Sequence, residues 1–102
     1  MTDEDAEIRR QWRDLVDRAL PEEASRRGRE WPVSLNHCFA RILLDNAVGR
    51  PWREVIRPPA WRHADARTLA DAIALGEAVL SGRASLHDLN QVSLLLRRKT
   101  RY

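Results

Sequence analysis

One cysteine, Cys38, in 102 residues excludes an internal disulfide and fits a reducing compartment. No apolar run approaches the roughly 18 residues that a membrane span needs. The start, Met1-Thr2-Asp3-Glu4-Asp5, is acidic and carries no secretory apolar stretch. These absences predict a cytoplasmic protein away from membranes. Glycine-rich phosphate loops, serine-nucleophile elbows and His-Glu zinc motifs are missing as well. His37, Cys38, His63 and His87 show no close zinc spacing, so neither a metal nor a cofactor is expected. Lysine is almost absent: Lys99 stands beside 17 arginines.

Hydrophobic residues make up 43% of the chain and charged ones 32%, which describes a globular protein rather than a disordered one. A chain of this size can bury a modest core without staples, and residues 1–102 are expected to form one domain. Its charge divides unevenly. Residues 1–30 hold 7 Arg against 9 Asp/Glu, a net of −2; residues 31–102 hold 11 Lys/Arg against 6 Asp/Glu, a net of +5. Most of the excess lies in the connector from Arg50 to Arg67 and in Arg97-Arg98-Lys99-Thr100-Arg101. Such clusters attract phosphate or an acidic partner. A compositional arginine bias and an ordinary net charge of +3 are the plain alternative.

Helical periodicity runs throughout. Thr2 or Asp3 can cap a first helix to about Leu20, with Ile8, Trp12, Leu15, Val16 and Ala19 on one face. Pro21 is expected to end it and to open a short helix, Glu22 to Arg27, that Gly28 stops. Trp31-Pro32 requires an extended backbone. Ser34 or Asn36 can cap a second long helix that Gly49 closes. One short turn is expected at Trp52 to Ile56, then a stiff extended link at Pro58-Pro59. A third long helix spans about Asp65 to Leu80, where Gly76 implies close approach of another helix at about 1 kcal/mol of lost propensity. Ser85 can cap a last helix that runs to about Arg98, with Leu86, Leu89, Val92, Ser93 and Leu96 near one face. The fold class is therefore all-α: a compact bundle of four longer helices with one or two short connecting helices.

The helix between Trp31 and Trp52 is apolar almost all round, which makes it the central element. Asn46, like Asn90 on the last helix, would need buried partners. His37, Arg41 and Asp45 form its only polar ridge, each four residues from the next. The favoured reading pairs Asp45 with Arg41 structurally. The functional one places the ridge in a cleft under the Trp52–Trp61 connector, with Arg41 gripping an anion. Neighbouring helical residues diverge by about 100°, so His37 cannot easily activate Cys38, which is expected to be a buried thiol.

The connector interleaves Arg50, Trp52, Arg53, Arg57, Trp61, Arg62 and His63. Exposed, they could stack bases or grip phosphates; burial of at least one tryptophan is the expectation. The last two helices suggest a helix-turn-helix only weakly, because the first is long and Asp88 would repel phosphate. The run Trp31-Pro32-Val33, Asn36-His37-Cys38-Phe39, Arg41-Ile42, Leu44-Asp45-Asn46 and Gly49 to Trp52 resembles the core of a small microbial protein family without assigned activity. Pro59-Ala60 and Leu89-Asn90 to Ser93-Leu94 fit the same resemblance, which implies no cofactor, substrate or catalytic residue.

These observations predict a binding or regulatory module for an anionic partner, either nucleic acid or an acidic protein surface. Its surface would combine the connector, the His37–Arg41–Asp45 ridge and the basic Arg97, Arg98 and Lys99. One alternative is a small enzyme or accessory subunit with a His37/Arg41/Asp45 pocket. The other is a structural homodimer formed through Leu94 and Leu95. No catalytic residue is assigned.

Overall fold

The computed structural model describes residues 2–99, and of Lys99 the backbone. Thr2 opens α1 (Asp3–Asp14): its hydroxyl accepts the Asp5 N–H at 3.0 Å, and Asp3, Glu4 and Asp5 suit the positive end of the helix dipole. The helix does not stop at Pro21. A π-helical turn, Leu15–Ala19, carries α1 directly into α2 (Leu20–Arg27), with the Leu20 N–H bonded to the Leu15 carbonyl five residues back. A proline in a regular helix collides with the carbonyl four residues before it, and the wider turn relieves that collision. Leu15, Val16 and Leu20 all face the core as a result. Gly28, at φ 57°, ends α2, and Trp31 is extended before Pro32.

The central helix is α3 (Asn36–Val48). Leu35, not Ser34 or Asn36, takes its N-cap position, and Asn36 Oδ1 accepts the His37 N–H at 2.8 Å. Gly49 closes it in the left-handed region at φ 73°, donating to the Asp45 carbonyl at 2.8 Å. Packing against α2, the π turn and the two last helices surrounds α3 and seals Phe39, Ile42, Leu43 and Leu44 from solvent. Cys38 is half-buried rather than sealed, because Leu35, Asn36 and His37 leave the first turn open on one side.

The connector makes a 3-10 turn, Trp52–Glu54, as expected. Its Pro58–Pro59 peptide is cis, not the extended form, and the short α4 (Ala60–His63) follows. Asp65 caps α5 (Ala66–Leu80) by accepting the Thr68 N–H at 2.7 Å. Gly76 lets α5 approach closely: a Cβ there would meet Leu15 Cδ2 at 2.5 Å and Leu43 Cδ1 at 3.1 Å. Ser85 accepts the Asp88 N–H at 3.2 Å and opens α6 (Leu86–Lys99). Leu86 and Ser93 face inward, but Val92 is 43% exposed, since α6 packs chiefly on α3 and leaves its other side open. The architecture is an all-α bundle, with no strand among the described residues. Its radius of gyration of 13.1 Å is that of a compact chain of this length.

Candidate functional site

The polar ridge of α3 divides into two unlike parts. Arg41 and Asp45 both turn toward α6, and the expected pair between them does not form. Ser93 stands between them, accepting from Arg41 Nη1 at 2.7 Å and donating to Asp45 Oδ2 at 2.6 Å. Arg41 Nη2 also donates to Asn90 Oδ1 at 2.8 Å. Asp45, 0% exposed, takes Arg97 as its charged partner instead, with Nε at 2.8 Å and Nη2 at 3.2 Å. The Trp52 backbone N–H donates to it at 2.8 Å. A buried carboxylate is tolerable only when its lone pairs are satisfied, and these donors satisfy it. Asn46 also finds the partners it needs, donating to the Ile42 and Leu89 carbonyls at 2.8 and 2.9 Å. The ends of this network are backbone and side-chain groups of the protein itself. It fixes α6 and the start of the connector to α3.

The rest of the ridge, His37, faces elsewhere. It lines a cleft of about 330 Å³ bounded by α1, α3 and the connector. Trp12, Val16, Ala40, Leu44, Trp52, Ala60, Trp61 and the rings of Pro58 and Pro59 form its apolar walls. Arg13, Asp17, Asn36, His37 and Arg53 supply its polar groups. The cleft foreseen under the connector therefore exists, but Arg41 and Asp45 do not line it. Arg13, Asp17 and Asn36 do, and no sequence signal points to them there, because the crossing of α1 over α3 leaves no periodic trace. Neither connector tryptophan is fully buried as expected for at least one: Trp52 is half-buried and Trp61 is 37% exposed, because the cleft leaves part of each indole open. A guanidinium covers part of each, Arg53 over Trp52 at 5.2 Å and Arg13 over Trp61 at 4.8 Å from the ring centroids.

Ion pairing separates the arginines sharply. Those of α1 and α2 are engaged: Arg9 with Asp5, Arg10 with Glu7, Arg18 with Asp14 and Glu22, Arg27 with Glu23. In the connector Arg50 pairs with Glu54 at 3.0 Å. Arg53, Arg57 and Arg62 are exposed and have no carboxylate partner among the described residues. His63 Nδ1 donates to the Arg57 carbonyl at 3.1 Å and so braces the connector. At the other basic stretch Arg97 is committed to Asp45, Arg98 is exposed, and the Lys99 side chain lies outside the described residues. Leu94 and Leu95 are exposed on α6.

No group of three or more His, Cys, Asp or Glu side chains among the described residues could hold a metal ion. No described helix is long and apolar enough to cross a membrane. No family model matches the chain, and neither a curated protein nor a solved structure does, so its function is read from its geometry alone.

Proposed function

We propose that the protein is a small binding module that engages an anionic partner through its connector, and that the partner is a nucleic acid. The observation that carries this reading is the exposure of Arg53, Arg57 and Arg62, none paired with a carboxylate among the described residues, on the connector that also carries Trp52 and Trp61. Guanidinium groups bind phosphate through forked donors, and each contact displaces counterions. Asp45 adds a geometric support. It holds both the Trp52 backbone and Arg97, so the start of the connector and the last turns of α6 meet at one carboxylate.

The test is a fluorescence-anisotropy titration of a labelled single-stranded oligonucleotide across a range of salt. Binding should weaken steeply as salt rises. The variant Arg53→Gln/Arg57→Gln/Arg62→Gln should lose affinity and reduce the slope of log K against log salt by about 2, at about 0.7 per lost phosphate contact. Its melting temperature should stay near that of the parent, since no ion pair is removed. An unchanged slope, or no binding at low salt, would sink the nucleic-acid reading. Binding of an acidic polypeptide in its place would favour a protein partner.

A further inference from the structure

We infer that the cleft between α1, α3 and the connector seats one unpaired nucleobase of a single strand whose phosphates lie on Arg53, Arg57 and Arg62; this rests on the nucleic-acid reading above. Size comes first. At about 330 Å³ the cleft sits at the small end of ligand sites. That volume accommodates a ring and its substituents.

Its walls are suited to a planar ring. Trp52 and Trp61 present indole surface, the buried Trp12 backs them, and the rings of Pro58 and Pro59 add apolar wall. Arg53 and Arg13 already lie over two of those indoles, so aromatic and guanidinium planes are both on offer for stacking. The charge of the lining suits a ring carried on a phosphate backbone. Asp17 is the one carboxylate lining the cleft, and it is engaged by Asn36 Nδ2 at 3.1 Å and approached by Arg13 at 3.9 Å. Arg13 and Arg53 outnumber it. Asn36 is used twice, on Asp17 and on the His37 N–H. The His37 ring has no hydrogen-bond partner among the described residues, which leaves it to meet the polar edge of a base. The larger groove along α1, which shares Arg13, Asp17 and Trp61 with this cleft, does not compete: Arg9, Arg10 and Arg18 along it are already ion-paired.

A comparison of two oligonucleotides of equal length, one of thymidines and one abasic, isolates the base from the backbone. The parent protein should bind the thymidine strand at least about fivefold more tightly at the same salt, the low end of stacking for one base. Trp61→Leu should bring the ratio close to one while leaving the salt slope unaltered, and Trp61→Phe should restore part of it. Equal affinity of the parent for both strands, with salt-sensitive binding kept, would overturn the seat and leave the connector reading standing. Failure of both strands to bind would overturn both. A ratio unaffected by Trp61→Leu would also overturn the seat, with a melting curve confirming that the variant is folded.

Discussion

Removing the Asp45 carboxylate takes an acceptor from four donor groups at once: the Ser93 hydroxyl, two nitrogens of Arg97 and the Trp52 N–H. Breaking a fully buried ion pair costs about 3–5 kcal/mol. The Arg97 side chain is 35% exposed and can recover water, which lowers that figure. Asp45→Ala should therefore reduce the unfolding free energy by about 2–3 kcal/mol in urea titrations. A loss under about 1 kcal/mol would mean that the stranded donors rehydrate freely. Arg41→Ala strands only neutral acceptors, on Ser93 and Asn90, and should cost less, about 1–2 kcal/mol. Because Arg41 lies outside the cleft, oligonucleotide affinity in that variant should stay within about twofold of the parent, under 0.5 kcal/mol. A complete loss of binding in a folded Arg41→Ala protein would return the ridge to the binding surface.

Among the elements, α3, α5 and α6 were legible because their signals are local: Gly49 after α3, Ser85 before α6, and apolar residues at helical spacing. Pro21 misled for an equally local reason, since nothing in sequence distinguishes a proline that ends a helix from one accommodated by a π turn. Helical angles separated Cys38 from the polar ridge, but they say nothing of what lies opposite. Arg97 is 52 residues from Asp45, and Arg13 reaches the cleft only because α1 crosses it. Gly76 was legible as a close approach, and its depth yields a prediction. Alanine is the better helix former by about 1 kcal/mol, yet its Cβ would press on Leu15, itself held in the core. Overpacking costs about 1–3 kcal/mol, so Gly76→Ala should lower the urea midpoint. A raised midpoint would show that Leu15 yields without cost.

Over the whole molecule, carboxylates on the acidic half are tied to arginines. Side-chain hydrogen bonds from Arg10, Arg18 and Arg27 hold Glu7, Asp14 and Glu23 below the usual carboxylate range, and the Thr68 N–H does the same for Asp65. A carboxyl whose folded pKa is depressed contributes its full stability above its unfolded value of about 4, and loses it as pH falls through the folded value. Glu7 and Asp65 are exposed, Asp14 and Glu23 half-buried, and the share of each is small. Together they should make the melting temperature fall between pH 4 and pH 3, and a melting temperature unchanged to pH 3 would contradict them. The buried carboxylate on α3 has a different consequence at this scale. The apolar side chains of α6 could pack on α3 in more than one register, because one leucine resembles another. A slide of three or four residues would set Leu96 or Leu89 where Ser93 now meets Asp45, facing a carboxylate with a hydrocarbon. Asp45 accepts one alignment of α6 and penalises its neighbours, so it works as the key that gives an otherwise permissive pair of helices a single way to fit.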